Sequence, residues 1–320
     1  MKARQSVLLL RRMGKPFRHL GSAVMRGDQL AALVSPHLDH AMTVRAVPFH
    51  AKLMPPVAMS AFARRVPLGA VVIVVKSAAK GLTADHLAPL RARGVRIGYD
   101  SIDTAIGEID FDLYDFHIAA SVGGKAALEA ALATRGRTDV PVELLHHHHD
   151  PRLAGHRAAE TFACGYVGER KNAMIPQALA SEVEVIEVNY AREFARILPR
   201  LDRLSLHYAV RPAPTGGDRQ NRVYKPFTKG FTAAALGANI LVNREVDDVL
   251  ALLGEDYPYL VSITAPDTII EGFEHARATF GGPVWTDALD RMRALNALVQ
   301  PAALAARMSE IVEIATSRPR

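Results

Sequence analysis

Hydrophobic positions along the chain fall into short unbroken runs separated by polar stretches of helical periodicity. Ser6 to Leu10 (SVLLL), Thr43 to Pro48 (TVRAVP), Ala70 to Lys76 (AVVIVVK), Val95 to Asp100 (VRIGYD), Phe116 to Ser121 (FHIAAS) and Val140 to Leu145 (VPVELL) each predict a strand. The run Ala70–Lys76 is continuously apolar and β-branched, the signature of a strand covered on both faces in a parallel sheet. Between the runs, apolar residues recur at helical spacing over Val24–Val34, Thr83–Arg93 and the alanine-rich stretch after Gly123-Gly124 that reaches Thr134. Thr83 stands at an N-cap position with Asp85 in the first turn, and Gly94 ends that helix. Strands alternating with helices predict an α/β fold with parallel sheets.

The alternation restarts in the second half. Phe162–Val167 (FACGYV), Val183–Val188, Leu204–Ala209, Ala238–Val242 and Tyr259–Ile263 predict strands. Helices are expected over Ala173–Leu179, Tyr190–Leu198, from near Thr228, over Val246–Leu253 and over Pro266–Ala278. Two more, Thr286–Leu298 and Ala302–Ile314, are separated by Pro301. A chain of 320 residues suits two domains, since a single core stops growing well below that size. The expected division is 1–152, 153–300 and a tail helix over 301–320.

Composition narrows the class. The chain is 49% hydrophobic and 22% charged, a soluble globular balance. Its longest apolar run, Leu68 to Val75 with Gly69 inside, falls short of the roughly 20 residues a membrane span needs. The start, MKARQSVLLLRR, has too short an apolar stretch for a signal peptide. With the single Cys164, which excludes an intrachain disulfide and a cysteine zinc site, a cytoplasmic protein is expected. The net charge of +6 favours an anionic partner: nucleic acid, an anionic membrane surface or a phosphorylated small molecule. Aromatics are only 6% and do not interleave with the basic residues, so no nucleic-acid partner is expected.

Candidate chemistry concentrates between His207 and Leu260. A loop there carries Arg211, Arg219, Arg222 and Lys225, and a helix starting near Thr228 follows with Lys229 in its first turn. Basic side chains converging on free backbone N–H groups at a helix N-terminus make a place for an anion. Earlier, the loop with Gly21 and Ser22 after the first strand is neither a dinucleotide fingerprint nor a Walker A loop, although Gly21 would let backbone approach a ligand. His146 to His149 offers four consecutive imidazoles, but neighbours in extended chain point to opposite faces. No Cys pair or HExxH completes a zinc set, so no metal is expected. His148 and its neighbours instead sit where ligands of open α/β sheets bind, beyond a strand's carboxyl end.

Two Rossmann-like halves, a mid-chain linker and a proline-broken helical tail resemble the GT-B glycosyltransferases. The motif-level likeness lies in Gly165-Tyr166-Val167-Gly168 and in Lys225-Pro226-Phe227-Thr228-Lys229 through Gly237. The His146–Asp150 segment is similar to the one that opens the linker in that family. The resemblance implies a fold of two Rossmann-like domains facing each other across a cleft, with a nucleotide-diphosphate sugar on the C-terminal domain and a glycan or lipid-linked acceptor on the N-terminal one. It also implies a tail helix that packs back on the first domain. Donor contacts then fall to Gly168, Arg170, Lys171, Arg211, Arg222, Lys225, Thr228, Lys229 and Thr232, with Gly21, Ser22 and His148 lining the cleft. Basic groups in place of metal would meet the charge that develops on the leaving diphosphate.

The pattern departs from the family at one point. Many retaining members carry a Glu-x7-Glu pair here; this chain has Tyr224 and Thr232. An inverting transferase would need a base at the acceptor hydroxyl. Asp100 is the first candidate and Asp103 the second, with His117 and His50 behind them. The reading is therefore a metal-independent glycosyltransferase, cytoplasmic, with peripheral contact to an anionic membrane as a further option. A nucleotide-sugar epimerase or hydrolase, and a catalytically silent sugar-nucleotide or carbohydrate binder, are the alternatives.

Overall fold

The computed structural model describes residues 4–13, 21–188, 194–212, 222–265 and 267–317. The chain forms two compact units: residues 1–147, 217–226 and 301–320 make one, and residues 148–216 and 227–300 make the other.

Unit 1 contains β1 (Gln5–Arg12), α1 (Gly21–Ala23), α2 (Leu30–Val34), β2 (Met42–Phe49), α3 (Pro56–Arg65), β3 (Val71–Val75), α4 (Ala84–Arg91), β4 (Arg96–Ile102), β5 (Phe116–Ala119), α5 (Val122–Thr134) and β6 (Val142–Leu144). Its six strands run parallel in the order β2-β1-β3-β4-β5-β6. All five residues of β3 are buried, which explains the unbroken β-branched run: both faces of the central strand meet helices. One face carries Leu8, Leu10, Val72 and Val74; the other carries Val7, Leu9, Val71 and Ile73. The stretch Val24–Val34 is helical as expected, but Val24–Gln29 is a π-turn that joins α1 to α2. Thr83 occupies the N-cap position of α4, yet its hydroxyl meets His86 Nδ1 at 2.7 Å and caps no backbone N–H.

Unit 2 contains β7 (Cys164–Val167), β8 (Val183–Ile186), α6 (Phe194–Leu201), β9 (Leu206–Tyr208), α7 (Thr228–Leu236), β10 (Asn239–Asn243), α8 (Val249–Leu253), β11 (Leu260–Val261), α9 (Asp267–Ala278) and α10 (Pro283–Ala297). Its strands are parallel in the order β8-β7-β9-β10-β11. This repeats the β2-β1-β3-β4-β5 order of unit 1, so the two halves share one winding. The helix expected over Ala173–Leu179 does not form. Only short 3-10 turns occur at Arg170–Asn172 and Gln177–Leu179, because Pro176 lacks an N–H and pushes its predecessor to extended backbone. The helix expected over Val246–Leu253 is also shorter. Asp248 takes a left-handed conformation at its start, so neither Asp247 nor Asp248 lies in the first turn.

The final helix, α11 (Pro301–Ser317), belongs to unit 1. Leu304, Met308, Ile311 and Val312 pack in the same cluster as Val7 and Ile73, and Arg307 Nε donates to Leu144 O at 2.9 Å. Pro301 begins this helix, as the missing N–H costs nothing in a first turn. No helix among the described residues is long and apolar enough to cross a membrane.

Candidate functional site

In open parallel sheets, ligands bind beyond the strands' carboxyl ends where the winding reverses. In unit 2 that point lies between β7 and β9. β7 ends in Val167 and turns at Gly168, whose φ of +135° is a backbone region essentially reserved for glycine. A Cβ there would stand 3.1 Å from Lys229 Nζ and 3.3 Å from the Tyr166 hydroxyl. Space is needed for the same reason at Gly230, where a Cβ would meet the Phe227 ring at 2.0 Å. That glycine lets Phe227 fold under the first turn of α7 and aims Lys229 at the turn.

Lys229 Nζ donates to Val167 O and lies 4.1 Å from the centroid of the Tyr166 ring. Burial, reinforced by Arg211, lowers the ammonium's pKa to about 8. Val167, Gly168, His207, Tyr208, Thr228, Lys229 and Thr232 line a cavity of about 210 Å³. His207 forms part of its floor, with Nε2 unpartnered, and burial followed by Lys229 lowers its pKa to about 4. It therefore stays neutral beside the ammonium. Arg211 leaves the end of β9 with its backbone N–H on Asn243 Oδ1 at 3.0 Å. The arrangement is a recessed cation behind a glycine turn, suited to an anion that approaches the backbone.

The structure therefore gathers Gly168, Thr228, Lys229 and Thr232 at one place. Thr232 differs from the expected ribose contact in one respect: its hydroxyl donates to Thr228 O at 2.9 Å, inside the helix. Arg170 donates to Ala173 O at 3.1 Å, and Lys171 is largely exposed and paired with Glu169 at 2.7 Å. Arg222 and Lys225 belong to the segment that clusters with unit 1. The Arg222 guanidinium lies 4.7 Å from the Tyr224 ring, and the Tyr224 Cβ would stand 3.6 Å from a Cβ on Gly124 of α5. Arg219 and the side chain of Ser22 lie outside the described residues. Gly21 begins α1 with open space where a Cβ would stand, and His148 is fully buried with Nδ1 2.6 Å from His149 O. A fully buried imidazole lines no open surface. Among the described residues no group of three or more His, Cys, Asp or Glu is placed to hold a metal.

In unit 1 the two candidate bases separate. Asp100 is 2% exposed and accepts from Arg26 Nε at 2.8 Å, while Arg26 Nη1 donates to Leu145 O and His146 O. Burial raises the Asp100 pKa and Arg26 opposes that rise. Such a carboxylate is closed off from solvent; through Arg26 it ties β4 to the chain just beyond β6. A register shift between Asp100 and Ile102 then turns the strand, as bulges do near functional sites, and Asp103 emerges on the sheet's carboxyl edge. There it accepts from Lys76 Nζ. His117 is a packed ring inside β5, between Phe111 and Tyr114 at centroid distances of 5.1 and 5.7 Å.

Two residues of these sites carried no legible signal in the sequence. Lys76 read only as the end of a strand, and Tyr166 as part of a glycine motif. Only the fold shows that one meets Asp103 and the other faces Lys229.

No protein-family model matches this chain, and no curated protein sequence does. Solved structures do match over almost its whole length. A glycosyltransferase from Rickettsia africae superposes with a TM-score of 0.62 at 7% identity, covering 99% of this chain and 100% of the other. HepE of Anabaena, in complex with UDP-glucose, gives 0.60 at 13% identity over 97% and 100%. The sucrose-phosphate synthase of Thermosynechococcus elongatus gives 0.60 at 11% over 96% and 98%. At such identities the likeness establishes the fold: the α/β class of GT-B glycosyltransferases, with two parallel sheets in one chain.

Proposed function

We propose that this protein transfers a sugar from a nucleotide-diphosphate donor to a hydroxyl acceptor without a metal cofactor. The observation that carries the reading is Lys229, held against Val167 O at a glycine turn on the β7–β9 switch point. Cleaving a sugar–diphosphate bond builds negative charge on the leaving group, and a recessed ammonium with Arg211 nearby is positioned to meet it. The shared fold supports the same reading, because HepE, which superposes over nearly the full chain, is a protein solved with UDP-glucose bound. Lys229, Thr228, Gly168 and Arg211 are assigned to the diphosphate, and Thr232 to the cavity beside it. Asp103 replaces Asp100 as the acceptor-side base, because it alone of the two reaches the surface. The acceptor is a glycan or lipid-linked hydroxyl compound, and the +6 net charge favours peripheral contact with the anionic inner face of the cytoplasmic membrane.

The test is to incubate the protein with a panel of nucleotide-sugars and follow release of nucleotide with and without acceptors. Acceptor-dependent release supports transfer, and acceptor-independent turnover points to a hydrolase or epimerase. Because Tyr224 and Thr232 stand where many retaining members of the resembled family carry carboxylates, a second reading is a binding protein without turnover. Binding with no release under any acceptor would establish it.

A further inference from the structure

Helix α5 carries more apolar surface than the core of unit 1 uses. Gly124, Leu128 and Leu132 are its buried positions, and Lys125 and Glu129 pair with each other on a second side. On the remaining side Ala126 and Ala130 are exposed and Ala127 and Ala131 half-buried, where a surface helix ordinarily carries polar groups. These four alanines line a cavity of about 570 Å³, closed by Ile106, Arg135, Arg222 and Tyr224. All of these residues belong to unit 1, and the volume suits a small organic molecule.

Its charge is one-sided. Among the described residues that line it there are two guanidiniums and no carboxylate. Both guanidiniums are braced on aromatic rings: Arg222 lies 4.7 Å from the Tyr224 centroid and Arg135 4.5 Å from that of Phe111. Arg135 also donates to Ala131 O at 2.9 Å. The Tyr224 Cβ would stand 3.6 Å from a Cβ on Gly124, so Tyr224 and Arg222 sit by the first turn of α5, whereas Arg135 follows its last. The helix dipole adds to the positive charge at the Arg222 end and opposes it at the Arg135 end. From Gly123 to Thr134 the alanine wall runs roughly 16 Å along the helix. The cavity is thus an apolar trough with its stronger cationic end at Arg222.

We infer that this cavity binds an aliphatic carboxylate, with its chain along the alanines and its head on Arg222. The planar guanidinium matches a carboxylate in charge and in geometry. A sugar or nucleotide would set polar groups against alanine methyls, which costs free energy wherever they go unpaired. A cationic chain would meet two guanidiniums, and a neutral one would draw nothing from them. An aliphatic carboxylate has no hydroxyl to receive a sugar, so this site is separate from the donor and acceptor of the transfer reading and does not depend on it.

The test is calorimetric titration of the full chain with octanoate, decanoate and dodecanoate, and with decyltrimethylammonium, decanol and decyl phosphate as matched probes, all below micelle-forming concentrations. The carboxylates should bind, each added methylene strengthening binding about fourfold. Arg222→Gln should weaken decanoate binding about tenfold, through loss of a charge-assisted hydrogen bond. Ala130→Phe, at an exposed helix position, should fill the trough and abolish binding, and Ala126→Leu serves if that variant does not fold. UDP should leave decanoate binding unchanged. The inference is overturned if no carboxylate binds, if affinity does not rise with chain length, or if either the arginine or the trough-filling variant binds like wild type. Equal binding of the cationic or neutral chain, or tighter binding of decyl phosphate than of decanoate, overturns it too. Displacement of decanoate by UDP would put the carboxylate in the donor site and overturn the inference in the same way.

Discussion

Arg26 Nε and Asp100 Oδ2 lie 2.8 Å apart in the interior of unit 1, with both side chains essentially inaccessible. Arg26 sits in the π-turn and Asp100 in β4, so the pair ties the first helical segment to the sheet and, through Leu145 O and His146 O, to the chain beyond β6. Removing one partner leaves a buried charge uncompensated, which costs about 3–5 kcal/mol. Asp100→Ala should therefore lower the urea midpoint sharply. Asp103→Ala, whose pair with Lys76 is partly exposed, should shift stability by about 1 kcal/mol or less. Loss of activity in Asp100→Ala with unchanged stability would contradict the structural role.

Lys229 sets a pH dependence for donor binding. Burial, and then Arg211, lower its ammonium's pKa to about 8, and a diphosphate binds the protonated form. Affinity for a nucleoside diphosphate should be level below about pH 8 and fall up to roughly tenfold per unit above it, in proportion to loss of the cation. Calorimetric titrations between pH 6.5 and 9.5 would show this, and Lys229→Met should bind weakly with a flat profile. The nucleoside alone should be indifferent to the substitution.

Gly168→Ala tests the close approach at the β7 turn. A side chain there has both an unfavourable φ and the Lys229 head 3.1 Å away. Stability should fall by about 1–3 kcal/mol, and diphosphate binding should fall further than nucleoside binding. Equal loss for both ligands would detach the turn from the phosphate.

Acid should destabilise the protein through buried and half-buried neutral imidazoles. His117, His146 and His207 each have a folded pKa lowered to about 4, chiefly by burial. The unfolded chain takes up protons first, near the ordinary value of about 6.5. The stability they hold is thus fully present above that value and is lost as pH falls through the window down to about 4. His117→Phe, in its aromatic surround, should melt at temperatures less sensitive to pH between 7 and 5 than wild type does. An identical pH slope would exclude His117 as a contributor.

Activity, if transfer is the function, should persist in EDTA. Complete loss restored by added divalent metal would overturn the metal-independent proposal and return attention to His146–His149.

The strands of both sheets and their parallel class were legible because strands buried on two faces are apolar along their length, and Val71–Val75 or Ile240–Val242 can serve little else. The glycine turn after β7 and the lysine beside Thr228 were legible too, since φ and charge are properties of single residues. What lies between distant residues was not. Asp100 and Asp103 stand three positions apart in the sequence and look equivalent, yet a bulge between them buries one against Arg26 and exposes the other to Lys76. The helix expected over Ala173–Leu179 gave way at Pro176, and the one expected over Val246–Leu253 was shortened by the left-handed Asp248, because proline and backbone conformation overrode apolar spacing. The segment with Arg222 and Lys225 clusters with unit 1 although it adjoins α7 in the chain. Sequence by itself determined the strands, their parallel class and the anion-attracting stretch, because local pattern and burial dictate those. Tertiary structure decided which carboxylate is a fastener, which cation is recessed, and where the cavity beside α5 opens, because those depend on residues far apart in the sequence, such as Arg26 and His146, meeting in space.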